Sequence, residues 1–112
     1  MFPGEEASTL TSIINLKSRL CDLIEPFELT DQLLSMEVLS RRQYEDVVSE
    51  KGAAYRRNEA LLNVVTSQQQ SFKFLDALRR TGQQHVVNFV TQNGGLKLHD
   101  YVQYFIVQSL LW

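Results

Sequence analysis

The chain has 112 residues, which is enough for a single domain with one hydrophobic core and too short for two. Apolar residues make up 44% of it, an ordinary fraction for a globular protein and too high for an intrinsically disordered chain. The formal net charge is −2, so the chain lacks the basic excess that a nucleic-acid-binding domain usually carries.

The first predicted helix changes the phase of its apolar stripe part-way along. Leu10, Ile13 and Ile14 share one helical face. The apolar residues that follow lie on a face rotated from the first: Leu16, Leu20, Leu23 and Ile24. The change of phase near Asn15 predicts that this helix is bent or broken. Pro26 cannot easily continue a helix, so it predicts a turn.

Two shorter helices are predicted next. The second helix covers roughly residues 29–36 and buries Leu33 together with one neighbour. The stretch "SRRQ" (40–43) has the spacing of a capping box, in which a hydroxyl and an amide satisfy each other's free backbone N–H groups. It opens a third helix that carries its apolar residues on one face: Tyr44, Val47 and Val48.

The second half of the chain predicts three further helices. Gly52 separates the third helix from a fourth, whose apolar stripe contains Leu61, Leu62 and Val65. The polar run "TSQQQS" (66–71) ends the fourth helix, and Ser71 is predicted to cap the fifth. Gly82 ends the fifth helix, and "NGG" (93–95) ends the sixth. The inward-facing residues of the last two helices are predicted to be Phe74, Leu75, Leu78, Val86, Phe89 and Val90.

Six short helices with short connections predict an all-α, antiparallel bundle. Helices of this length are unstable alone, so burial against one another must hold them. We assign residues 1–8 to an N-terminal extension, 9–95 to the bundle and 96–112 to an apolar tail. The tail residues that fit a seventh amphipathic helix are Leu98, Tyr101, Val102 and Phe105. We expect this helix to be shielded by the bundle or by a second chain.

Residues that carry catalysis or bind metals are sparse. His85 and His99 have no cysteine nearby, so a zinc site lacks its ligand set. Glu45 and Asp46 are adjacent on a helix and point about 100° apart, which is poor geometry for catalysis by paired carboxylates. The sequence therefore predicts no enzymatic activity, no metal site and no cofactor.

The only cysteine is Cys21, so the chain cannot form an intrachain disulfide. Because it lies beside Leu20, we expect a buried core thiol in a reducing, cytoplasmic setting. The stretch "MFPGEEASTL" (1–10) lacks the basic and apolar segments of a signal peptide. No uninterrupted apolar stretch reaches membrane-spanning length, so no membrane partner is expected.

Three segments of the chain resemble the caspase recruitment domain (CARD) of the death-fold superfamily. They are "DQLLSMEVLSRRQYEDVVSE" (31–50), "NEALLNVV" (58–65) and "FLDALRRTGQQHVVNFV" (74–90). The resemblance covers about residues 10–90, in the order and spacing of the family. Sister death-fold families share the six helices, but the inferred break in the first helix is more similar to a CARD. The resemblance implies a six-helix, antiparallel Greek-key bundle that binds other CARDs and performs no catalysis.

The resemblance also implies two charged faces, because CARDs commonly set a basic face of their first and fourth helices against an acidic face of their second and third. The matching basic residues are Arg19 and Arg57, with Lys17 and Arg56 as looser fits. The matching acidic residues are Asp31 and Glu45, with Asp46 beside Glu45 and Glu37 as a looser fit. We expect Arg57 to be an exposed charge that contributes little to stability. Leu61 stands where a further basic residue is expected one turn after Arg57, which weakens the implied basic face.

The leading hypothesis is a homotypic CARD adaptor in apoptotic or inflammatory signalling, which recruits a caspase, kinase or scaffold and can self-associate into an open helical assembly. A CARD-only decoy that caps such assemblies is an alternative of the same class. Arg79 and Arg80 are expected on the surface, as candidates for an additional assembly contact. A helical nucleic-acid binder is the alternative from another class, and it would use Arg41, Arg42, Arg79 and Arg80. The nearly balanced charge favours the adaptor, so no nucleic-acid partner is expected.

Overall fold

The computed structural model describes residues 9–93, in which seven helices pack around a hydrophobic core. The helices are α1 (Thr9–Asn15), α2 (Lys17–Leu23), α3 (Pro26–Ser35), α4 (Arg41–Val48), α5 (Ala54–Val64), α6 (Gln68–Arg80) and α7 (Gln84–Asn93). Within this range there is no strand, so the predicted all-α class is confirmed. The extension (1–8) and the tail (96–112), with its predicted seventh helix, lie outside the described residues.

The helices α1 and α2 are the two halves of the predicted first helix, and the break lies at Leu16. The backbone there departs from helical geometry, with φ −99° and ψ 9°. Nevertheless the Leu16 N–H donates to the Ser12 carbonyl at 3.0 Å, and the Leu16 carbonyl accepts from the Leu20 N–H at 2.9 Å. Hydrogen bonds therefore cross the break, so the helix bends rather than ends. The prediction of a bent first helix is confirmed.

Two buried amide side chains hold the turn that follows α2. Asn58 Nδ2, from α5, donates to the carbonyls of Cys21 at 2.9 Å and Ile24 at 2.7 Å. Gln83, from the α6–α7 connection, pairs with the backbone of Glu25: its Oε1 accepts from the N–H at 2.8 Å and its Nε2 donates to the carbonyl at 2.9 Å. Because the two amides are themselves buried, these bonds satisfy their N–H donors as well as the backbone groups of the turn. They fix where α2 stops and α3 starts.

The central helix is α6, which packs against α1, α3 and α7. Residues 74–78 are all buried, so α6 is covered on every side rather than along a single stripe. Three residues predicted to face inward, Leu33, Leu62 and Leu75, are buried as expected. Phe89 packs on the core from its edge and is only partly buried.

Three residues assigned to apolar stripes are exposed instead. They are Ile14, Leu23 and Val48, with 60%, 41% and 42% of their surface accessible. Each is the last or next-to-last residue of its helix, where the stripe runs past the part that neighbouring helices cover. The prediction that these side chains join the buried faces is wrong.

The starts of the helices follow their capping residues. At α4 the predicted capping box is present: Ser40 Oγ accepts from the Gln43 N–H at 3.1 Å, and Gln43 Oε1 accepts from the Ser40 N–H at 2.8 Å. At α6 the cap is Ser67 rather than Ser71, so the helix begins one turn earlier than predicted. The helix α3 also begins early, at Pro26, because proline is favoured in a first turn where no N–H is needed.

The helices α3 and α6 end in the same hydrogen-bonded turn, with different residues at its left-handed position. Glu37 occupies that position after α3, with φ 62°, and Gly82 occupies it after α6, with φ 80°. In both turns the next N–H reaches back to the last helical turn: Val38 donates to the Leu33 carbonyl at 3.0 Å, and Gln83 donates to the Leu78 carbonyl at 2.8 Å. Only glycine adopts this backbone without steric cost.

The two turns should therefore respond to substitution with opposite signs. We expect Glu37→Gly to raise the free energy of unfolding by about 0.5–1 kcal/mol and Gly82→Ala to lower it by about 1 kcal/mol. Nothing lies within 4 Å of the position that an alanine Cβ would take at Gly82, so a loss there reports backbone strain rather than a clash. Urea melts of both variants measure the effect, and changes of equal sign would contradict it.

Candidate protein-interaction surfaces

The basic residues of α2 and α5 lie on two helices that pack together in opposite directions. Lys17, at the start of α2, donates to Asn63 Oδ1 near the end of α5, whereas Asn58 in the first half of α5 bonds to the C-terminal part of α2. Arg19 and Arg56 are exposed on this pair. Lys17, Arg19 and Arg56 are called the basic face below.

Two carboxylates that the sequence reading left out accompany the basic face. Asp22 on α2 and Glu59 on α5 are both exposed. Arg56, Glu59 and Asn63 follow one another at helical spacing, so a cation and a carboxylate share one exposed stripe of α5. The α2–α5 pair thus carries mixed charge, and the basic face is weaker than the resemblance implies.

Arg57 does not belong to this face. Its Nε donates to the Glu50 carbonyl and its Nη2 to the Val48 carbonyl, both at 3.2 Å. Its guanidinium also lies over the Phe27 ring, 5.0 Å from the ring centre. The side chain is partly buried and ties the α4–α5 loop to α3, so the expectation that it is a freely exposed charge is wrong. Substituting Arg57 would disturb the fold as well as any contact.

The acidic residues predicted on α3 and α4 lie on two helices that pack against each other. The Tyr44 hydroxyl donates to Asp31 Oδ1 at 2.8 Å, which joins the two helices and raises the pKa of Tyr44. Glu45 and Asp46 are exposed on α4, and Glu28 adds an exposed carboxylate one turn before Asp31. Glu28, Asp31, Glu45 and Asp46 are called the acidic face below. The sequence analysis did not include Glu28, although a carboxylate three residues before Asp31 on a helix lies on the same side as Asp31.

Glu37, the remaining acidic candidate, lies in different surroundings. It lines a surface depression of about 380 Å³ together with Lys73 and the residues at the start of α6. Asp31 lines a separate depression, between α3, α4 and α5. The structure therefore brings Glu37 near a lysine rather than into the acidic face.

Arg79 and Arg80 are about half-exposed at the end of α6, and both bind one buried carboxylate. Asp76 Oδ1 accepts from Arg79 Nη2 at 2.9 Å, and Asp76 Oδ2 accepts from Arg80 Nε at 3.1 Å. A buried carboxylate needs such partners, so the arginine pair has a structural role at this end of α6.

Residues 9–93 contain no group of histidine, cysteine, aspartate and glutamate side chains that could hold a metal ion. In the same range no helix is long and apolar enough to cross a membrane.

The family model described as "Caspase recruitment domain" matches residues 13–93. That span is most of the chain and includes every residue of both charged faces. The chain belongs to the CARD family. Comparisons with curated proteins and with solved structures give no significant match.

Family membership accounts for the number of helices and for the kind of molecule that the surfaces bind. With α1 and α2 counted as one bent helix, the CARD has the six helices of the antiparallel Greek-key bundle. A CARD is a protein-interaction domain rather than a catalytic one, and it binds other death-fold domains. Leu61 is buried in this CARD, with 1% of its surface exposed, so the basic residue implied one turn after Arg57 is replaced by a core residue.

Cys21 of this CARD is buried, and burial raises the pKa of its thiol, with a further contribution from the Glu59 carboxylate. A raised pKa leaves less thiolate at neutral pH, and thiolate is the reactive form. We therefore expect Cys21 in the native chain to react with an aromatic disulfide reagent at least about tenfold more slowly than in the urea-unfolded chain. Equal rates, followed by absorbance at pH 7, would show that the thiol is accessible.

Proposed function

We propose that this CARD is a cytoplasmic adaptor in apoptotic or inflammatory signalling, which recruits a caspase, kinase or scaffold through the partner's own CARD. The observation that carries the proposal is an excess of cations on one helix pair and an excess of carboxylates on another. The cations of the basic face outnumber Asp22 and Glu59 on α2 and α5, and the four carboxylates of the acidic face outnumber Arg41 and Arg42 on α3 and α4. The buried, unpaired thiol of Cys21 suits a reducing compartment.

The basic face of one CARD would meet the acidic face of the next. A contact between two different faces is heterologous. The assembly therefore always ends in a free basic face at one end and a free acidic face at the other, and each can bind a further CARD. If successive contacts do not close a ring, they extend into an open helical filament. Exposed charges of this kind mainly set the choice of partner and the rate of encounter.

The nucleic-acid alternative receives less support from the structure. Two of the four arginines that it would use, Arg79 and Arg80, are bound to Asp76. Phosphate binding would have to compete with that carboxylate. We expect no salt-dependent mobility shift with duplex DNA or RNA at physiological ionic strength.

The test is a pull-down of the chain against a panel of isolated CARDs, with charge-reversed variants. We expect wild type to retain at least one panel member, and Arg56→Glu and Glu45→Lys each to lose it. Lys51→Glu is the matched control, because it reverses an exposed cation in the α4–α5 loop that belongs to neither charged face. Asp22→Lys should retain the partner as well as wild type or better, because it removes a carboxylate that accompanies the basic face.

Retention of no CARD, or equal retention by all four variants, would overturn the proposal.

Once a partner is found, the rate at which the partner CARD polymerises distinguishes an adaptor from a decoy. An adaptor accelerates polymerisation of the partner CARD at substoichiometric amounts, whereas a decoy that caps the ends slows it.

A further inference from the structure

A shallow depression lies where α3, α4 and the start of α5 meet, with a volume of about 260 Å³. The residues that form its walls and rim include Phe27, Glu28, Asp31, Tyr44, Val48 and Arg57. It is called the notch below. Its residues come from helices far apart in sequence, so the sequence alone did not reveal it.

The notch presents apolar surface that the bundle leaves uncovered. Phe27 is 59% exposed and Val48 is 42% exposed, although both are large apolar side chains. Arg57 fixes this wall in place, because it stacks on the Phe27 ring and donates to the Val48 carbonyl. Exposed apolar side chains gathered at one concave site are a feature of protein-interaction surfaces.

The rim of the notch favours a cation beside the apolar group that enters it. Glu28 and Asp31 supply two carboxylates. Arg57 carries the opposite charge, but two of its donors bind carbonyls and its guanidinium faces Phe27, so the two carboxylates leave the rim with a net negative charge. A side chain that suits the notch is therefore apolar, with a basic residue close enough to reach the two carboxylates.

The same chain presents such a pair on α2. Arg19 and Leu23 are four residues apart on one regular helix, so their Cβ atoms are about 5–6 Å apart on the same side. Both are exposed, Leu23 by 41%. We propose that a second copy of this chain inserts Leu23 into the notch and sets Arg19 against Glu28 and Asp31. This contact rests on the proposed homotypic function and supplies it with an apolar anchor.

The anchor explains how the contact holds despite the mixed charge of the α2–α5 pair. Exposed ion pairs contribute little to affinity, whereas an apolar side chain in a pocket is the usual centre of an interface. In this contact Arg57 forms part of the notch wall, in the copy that contributes its acidic face. It does not act as a cation of the basic face.

Sedimentation velocity over a concentration series of the full chain tests the contact. We expect Phe27→Ser and Leu23→Ser each to weaken self-association at least tenfold, with melting temperatures lowered by no more than several degrees because both side chains are exposed. Val48→Ser is a second change on the same wall, in case Phe27→Ser unfolds the chain. Ile14→Ser is the matched control, because Ile14 is 60% exposed and lies in neither surface.

Mixing the two variants gives the sharper result. The Leu23→Ser chain keeps an intact notch and the Phe27→Ser chain keeps an intact Leu23, so the mixture should associate at concentrations where neither variant alone does. The proposal is overturned if the variants associate like wild type, if the mixture stays monomeric, or if wild type remains monomeric at about 1 mM, where even a weak contact is half-formed. Any of these results leaves the panel pull-down to decide separately whether the CARD binds another protein.

Discussion

Phe74→Ala should lower the free energy of unfolding by about 3–5 kcal/mol, whereas Phe27→Ala should lower it by only about 1 kcal/mol. The two phenylalanines differ in their surroundings: Phe74 has 0% of its surface exposed in the middle of α6, and Phe27 is 59% exposed in the first turn of α3. Removing the first ring opens a cavity in the core, and removing the second loses mainly the stacking of Arg57.

Urea denaturation of both variants measures this difference directly, and the two midpoints should separate clearly at unchanged slope. Similar losses in the two variants would mean that α6 is not the central helix of the bundle. Because Phe27 also forms a wall of the notch, its small effect on stability is what allows it to report on binding.

The double variant Arg19→Glu/Arg56→Glu should weaken binding to a partner CARD at least about thirtyfold, which corresponds to about 2 kcal/mol. The reversed charges would face the partner's carboxylates and repel them. The fold should tolerate the change, because both side chains are exposed at helix surfaces. Isothermal titration with the partner and a thermal melt of the free variant separate the two effects.

Salt provides the control for this prediction. Exposed charges are screened over about 8–10 Å at physiological ionic strength, so the difference between wild type and the double variant should shrink as salt is added. A difference that is constant from low to high salt would indicate that the variant acts through altered packing rather than through charge.

The helices themselves were predictable from local patterns. The change of apolar phase near Asn15 reflects the break at Leu16, and the capping box at Ser40 sets the start of α4. Both signals lie within a few neighbouring residues, where spacing determines geometry. Gly82 at the end of α6 is a signal of the same kind.

Long-range contacts account for what the sequence did not reveal. Arg57 looked like an exposed helix-start charge, because nothing in its neighbouring residues shows that the end of α4 and the loop after it turn two carbonyls toward the guanidinium. The buried amides of Asn58 and Gln83 bind backbone groups of the α2–α3 turn, from positions distant in sequence. The sequence around an asparagine or a glutamine does not show whether its amide binds distant backbone groups, because those contacts depend on how the helices pack.

The prediction of which stripe residues are buried was wrong at helix ends for a related reason. Periodicity shows which side of a helix is apolar, but neighbouring helices decide how far along that side is covered. Leu23 and Val48 end their helices beyond that cover, and Phe27 lies outside it in the first turn of α3. These uncovered residues are the ones from which we build the proposed homotypic contact.

The structure also changes which charges test the two faces cleanly. Arg57 and Asp31 both make contacts within the fold, to backbone carbonyls and to Tyr44. Reversing either would mix a loss of stability with a loss of binding. Arg19, Arg56, Glu45 and Asp46 are exposed and better suited to the purpose.

The most direct test of the central claim, that a basic face of one CARD meets an acidic face of another, is a mixing experiment followed by sedimentation velocity. The two variants are Arg19→Glu/Arg56→Glu and Glu45→Lys/Asp46→Lys, each of which keeps one native face. We predict that neither variant self-associates alone and that an equimolar mixture forms a complex, because the acidic face of the first can bind the basic face of the second. A mixture that stays monomeric while wild type associates, or variants that each associate like wild type, would contradict the assignment of the two faces.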